Sequence, residues 1–199
     1  MNGISIDTSG STSSSLLGRV RRRDPAAWQR FADIYTPLVY SWARRSGLQE
    51  NDAPDIVQEV FRTVATKIDD FQKDHEDSSF RSWLWAITRN QVRLYYRRRG
   101  AQPEATGGTD AARQLENAAD WDEADSLTAA SDDRRFLLHR AMQVIRGDFE
   151  DNTWHAFWRT VVEGDSAAQA AERLQMTSGA VRQAKFRVLT RLREEMDGV

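Results

Sequence analysis

From Leu16 onward the apolar residues recur every three or four positions, and no stretch sustains period-two alternation. Such a chain buries stripes of helices rather than faces of a sheet. The fold expected is therefore all-α. Hydrophobic residues make up 40% of the 199, enough for packed cores. Residues 1–15 are rich in Ser, Thr and Gly and read as a disordered tail.

Two segments carry chemistry. The first spans residues 79–99 (SFRSWLWAITRNQVRLYYRRR). On a helix, Phe80, Trp83, Leu84, Ile87 and Leu94 fall on one side and suit a core. Arg81, Trp85, Arg89, Arg93, Tyr96 and Arg97 fall on the other. A guanidinium on successive turns can neutralise successive phosphates, and each such contact makes binding more salt-dependent. The interleaved aromatics suit stacking on unpaired bases, at roughly 1–3 kcal/mol each. Alone, this stripe reads more readily as a solvated Arg-rich face with Trp85 and Tyr96 packed elsewhere.

The second segment spans residues 166–193 (SAAQAAERLQMTSGAVRQAKFRVLTRLR). Ala167, Ala170, Ala171 and Leu174 mark the inner face of a short helix, and the small side chains allow a second helix to cross closely. Gln175-Met176-Thr177 reads as the turn, with Met176 plugging it and Thr177 or Ser178 capping the next helix. Val181, Ala184, Val188 and Leu192 then face inward. The outward set is Ser178, Gly179, Arg182, Gln183, Phe186 and Arg187. This is the helix-turn-helix pattern, whose second helix enters the major groove by its early residues. Arg suits guanine and Gln suits adenine there.

A formal net charge of −2 argues against nucleic acid only if it is evenly spread. It is not. Residues 16–100 carry 16 Lys/Arg against 11 Asp/Glu, residues 101–134 carry 2 against 9, and residues 135–199 carry 10 against 9. An acidic stretch masks a basic first half in the total. The expected division is a tail at 1–15, a helical bundle at 16–100, a flexible acidic linker at 101–133 and a helix-turn-helix domain at 134–199.

Within the first half, Pro25 after Asp24 suits a helix start, and Trp28, Phe31, Ile34 and Tyr35 follow at helical spacing. Pro37 is expected to end or kink that helix before it resumes through Trp42. A second helix is expected from about Ala53 to Ile68, with Asp52 as cap and Val57, Val60, Phe61, Val64, Ile68 and Phe71 buried. Trp154, Phe157, Trp158 and Val161 form a further core stripe.

Several classes drop out. There is no Cys, so disulfides and thiolate metal sites are excluded. His75, His139 and His155 lack metal-ligand spacing. No Gly-rich phosphate loop, nucleophile elbow or HExxH pattern occurs, so no enzyme, cofactor or metal is expected. No apolar run is long enough for a membrane span, and residues 1–15 lack the features of a signal peptide. The expected compartment is the cytoplasm. A DNA-binding regulator acting without a polymerase remains a rival, although such proteins usually dimerise and no zipper-like heptad is visible.

Three segments in order resemble the small extracytoplasmic-function group of the bacterial sigma-70 family. Asp55-Ile-Val-Gln-Glu-Val-Phe61 is similar to the family's helix that binds core RNA polymerase. Phe80-Arg-Ser-Trp-Leu-Trp-Ala-Ile-Thr-Arg-Asn90 with Arg97-Arg-Arg99 resembles its promoter-melting, −10-reading segment. Gly164-Asp-Ser166 through Arg193 resembles its −35-reading helix-turn-helix. The resemblance implies a sigma factor that binds core RNA polymerase and promoter DNA. It assigns Asp55, Gln58, Glu59 and Arg62, which lie off the buried stripe of their helix, to the polymerase. It adds Phe80, Trp83 and Asn90 to the −10 contacts, with Trp83 suited to either core or DNA. It implies that residues 69–78 help to hold a flipped −10 base, whose unstacking a fitted pocket can offset. It also implies an anti-sigma protein as a partner in many relatives. Leu94 departs from the pattern, since the family usually has Asp four residues after the Asn.

Overall fold

The computed structural model describes residues 15–71, 79–100 and 126–196. Every regular element among them is helical. The tail at 1–14, the linker at 101–125, and residues 72–78 of the expected base-holding loop lie outside the described residues. Helices are numbered α1 (Leu16–Arg21), α2 (Pro25–Arg45), α3 (Ala53–Lys67), α4 (Phe80–Gly100), α5 (Ser126–Ile145), α6 (Asp151–Val161), α7 (Ala167–Leu174) and α8 (Ser178–Met196).

The described residues fall into two compact units, one of 31–137 and one of 15–30 with 138–196. This differs from the expected division at both ends of the first half. Residues 15–30 group with the C-terminal residues because Leu16, Leu17 and Val20 are buried and α1 packs on α8. The acidic linker ends earlier than expected, because residues 126–133 already lie in α5. Asp133 there is buried.

In the 31–137 unit, the start of α4 sits in an aromatic cluster. The Phe80 ring lies within 5.3–5.7 Å of the rings of Phe31, Tyr35, Phe71 and Trp83. Phe61 adds an edge-on contact to Phe31. α2 does not end at Pro37. An interior proline costs about 3 kcal/mol. Ile34, Tyr35, Leu38, Val39 and Trp42 flank it, all buried, and each such side chain contributes roughly 1.5–3 kcal/mol. Burial therefore outweighs the lost backbone bond. The helix stops at Gly47, whose φ of +83° suits glycine. A Cβ on Gly47 would lie 3.4 Å from the Tyr96 hydroxyl.

That hydroxyl donates to the Ser46 carbonyl at 2.9 Å, tying α4 to the end of α2. Burial pushes the Tyr96 phenol up to about 12. An unfolded phenol ionises near 10. Between about pH 10 and about pH 12 the unfolded chain therefore loses a proton that the folded chain keeps, and stability falls as pH rises. The expected loss across that window is about 2 kcal/mol. Denaturant titrations at stepped pH should show it, and Tyr96→Phe should remove that part of the slope.

In the other unit, Asp24 caps α2 by accepting from the Ala26 and Ala27 amides, at 2.9 and 3.3 Å. Its second oxygen takes a two-pronged bond from Arg19 on α1. The Arg19 bond holds the Asp24 carboxyl below its usual range. Glu195, in the last turn of α8, is 1% exposed and lies 2.5 Å from Arg191 and 3.6 Å from Arg30. Burial outweighs the charges of Arg191, Arg30 and Arg19 and pushes its carboxyl up. Asp148 pairs with Arg30 and Arg191, at 2.5 and 3.3 Å. Trp154 and Phe157 are buried as expected. Trp158 is only partly covered, and Val161 is exposed rather than part of the core.

Candidate nucleic-acid interface

α7 and α8 are built by local chemistry. Ser166 opens α7 with a capping box, accepting from the Gln169 amide while the Gln169 side chain accepts from the Ser166 amide. α7 ends at Gln175, with φ +53° and ψ +42°. This left-handed conformation explains why glycine often occupies that turn position. The Thr177 hydroxyl accepts from the Ala180 amide at 3.1 Å, so Thr177 rather than Ser178 caps α8. Ala170 and Ala171 meet Val181 and Ala184 in one cluster, with Leu174 and Met176 packed against it. The turn and the inward face match the sequence reading. On the outward face Gly179, Arg182, Gln183, Phe186 and Arg187 are exposed and Ser178 is half-covered. Phe186 is 66% exposed, which leaves a large apolar ring beside two guanidiniums on one helix face.

α4 is less simple. Its buried positions are Phe80, Leu84, Ile87, Thr88, Val92 and Tyr96. Phe80 and Tyr96, both expected to contact DNA, are core residues, at 0% and 4% exposed. Arg81 is also not a free cation, because it pairs with Asp133 at 3.1 Å and is largely covered. Trp83 is half-covered, with its ring against Phe71 and Phe80, on the core side of its two readings. Trp85 packs edge-on against Trp42. Arg89 and Arg93 are half-covered, while Asn90 and Arg97 are exposed. Apart from Arg81 and Trp83, what remains at least partly exposed of the DNA-facing set is Trp85, Arg89, Asn90, Arg93 and Arg97. Leu94 is the converse correction, since it is half-exposed rather than in the core.

Leu94 lines an open groove of about 700 Å³ between α3 and α4. Asp55, Gln58, Glu59 and Arg62 all line the same groove, so the four residues assigned to one partner stand together. Glu59 and Arg62 form an ion pair within α3. The groove's end is closed by contacts the sequence did not suggest. Asp52, expected to cap α3, makes no such bond. It accepts instead from the Tyr95 hydroxyl at 2.7 Å and from Arg99 at 3.3 Å. Arg99 also donates to the Tyr95 hydroxyl. Partial burial, then the Asp52 bond, raises the Tyr95 phenol above its usual range.

Residues 31–102, which hold most of α2, all of α3 and α4, and this groove, match the family model for sigma-70 region 2. Over these residues the chain is similar to the sigma-70 family. It is 30% identical over 95 residues to the ECF RNA polymerase sigma-E factor of Escherichia coli (strain K12), covering 48% of each chain. The protein of the same name from Haemophilus influenzae is 30% identical over 92 residues, 46% of this chain and 47% of that one. The RNA polymerase sigma factor NccH of Alcaligenes xylosoxydans xylosoxydans is 31% identical over 86 residues, 43% and 45%. The chain thus spans about half the length of the curated relatives it matches. The region 2 match takes in the polymerase and −10 residue sets, whereas the helix-turn-helix lies beyond it.

Proposed function

We propose that this chain is a sigma factor that binds core RNA polymerase, directs it to a subset of promoters and helps to open the DNA. The observation that carries this reading is the region 2 match over the α3–α4 groove, on a chain that also holds an exposed helix-turn-helix face. In this reading residues 31–100 act as the polymerase-binding and −10 domain, and residues 138–196 as the −35 domain. Asp55, Gln58, Glu59 and Arg62 meet the polymerase, and an anti-sigma protein would compete for the same face. Trp85, Arg89, Asn90, Arg93 and Arg97 meet the −10 strand. Ser178, Gly179, Arg182, Gln183, Phe186 and Arg187 meet the −35 duplex.

No bond is made or broken by the chain. Melting is driven by binding unpaired bases better than paired ones, through stacking and phosphate contacts. No helix among the described residues is long and apolar enough to cross a membrane. The proposed site of action is the cytoplasm, where the polymerase and the promoters are.

The polymerase assignment is tested by reversing charge on the groove. Asp55→Arg combined with Glu59→Arg should weaken association with core polymerase about tenfold, mainly through a slower on-rate. Helicity and binding to −35 duplex should stay unchanged. Association equal to wild type would remove the groove from the polymerase interface.

A further inference from the structure

We infer that Trp42, Arg45 and Arg81 form a built anion site, filled here by the protein's own Asp133, which takes a backbone phosphate when DNA binds. The inference rests on the −10 assignment of α4 proposed above. Three donors from two helices converge on one carboxylate. The Trp42 indole N–H donates to one Asp133 oxygen at 3.0 Å, and Arg81 donates to the same oxygen at 3.1 Å. Arg45 donates to the other oxygen at 3.2 Å. Trp42 is 2% exposed and the Asp133 side chain 7%. The edge-on contact of Trp85 with Trp42, centroids 5.2 Å apart, holds the indole in place.

An indole nitrogen can only donate, and a buried donor requires an acceptor. Two guanidiniums beside it require that acceptor to be an anion. Carboxylate and phosphate both present delocalised oxygens that take charge-assisted bonds from arginine. Asp133 therefore occupies the place of a phosphate. The position suits a nucleic-acid backbone, because Arg81 begins the row continued by Arg89 and Arg93. Arg81 and Arg89 are eight residues apart, about 12 Å along the helix. Asp133 sits in the N-terminal half of α5, at the edge of the most acidic stretch of the chain. Phosphate can enter only by displacing it, so this end of α5 competes with DNA for the basic helix.

The test uses the full chain with ¹⁵N-labelled tryptophan and inorganic phosphate as the probe. In Asp133→Ala the Trp42 indole resonance should shift saturably as phosphate is added. In wild type it should not move over the same range. Adding Arg81→Ala to Asp133→Ala should abolish the shift. If Asp133→Ala does not fold, Asp133→Asn keeps the shape without the charge and should show the same shift. An unmoved Trp42 resonance in the folded variant, or a shift that survives loss of Arg81, overturns the inference. A saturable shift in a chain that directs no transcription would keep the anion site and sink the sigma-factor reading. Transcription without the shift would do the reverse.

Discussion

Phe80→Ala should lower the stability of the 31–137 unit by about 3–5 kcal/mol, the usual cost of truncating a buried aromatic. Phe80 is fully buried, and its ring touches four others drawn from α2, α4 and the end of the segment after α3. Its removal leaves a cavity that neither Phe31 nor Tyr35 can fill without leaving its own partners. Urea unfolding followed by tryptophan fluorescence reads the change. Phe80→Leu should recover much of the loss, because a core residue is restored by volume and a base-stacking residue is not. A stability change below about 1 kcal/mol, the mean for point substitutions, would return Phe80 to the DNA-facing set.

Arg182→Ala should weaken binding of −35 duplex by about 1–3 kcal/mol, or roughly 5- to 150-fold, and relax the choice of base at one position. Arg182 is exposed on the first turns of α8, where a recognition helix lies deepest in its groove. Nothing in the core depends on it, so stability should be unchanged. The comparison that decides is between a panel of single-base duplex variants bound by wild type and by Arg182→Ala. Equal losses on every duplex would mean a phosphate contact. No loss would remove Arg182 from the reading face.

The helix-turn-helix was legible because its information is local. Small residues at 170 and 171, a turn at 175–177 and a cap at Thr177 lie within a dozen positions of one another. The face of α4 was legible only in part. Aromatic and aliphatic residues lie all round that helix, so its period alone puts Leu94 and Tyr96 each on the wrong side. Tyr96 is decided by a carbonyl 50 residues earlier, at Ser46. The role of Asp52 depends on Tyr95, 43 residues away, and that of Asp133 on Trp42, 91 residues away. No helical period encodes such pairings. Asp133 carried the further disadvantage of standing in an acidic run, where a buried carboxylate looks like every solvated one. Pro37 misled for another reason. The rule that proline stops a helix is a local cost, and the buried residues around it supply a larger tertiary gain.

If this chain is a sigma factor, it gives core RNA polymerase a choice of start site. Run-off transcription on a library of genomic promoter fragments, with transcript ends sequenced, tests it most directly. A sigma factor should give discrete starts, absent with core polymerase alone, that share one motif near −10 and another near −35. Starts no different from those of core polymerase alone would contradict it.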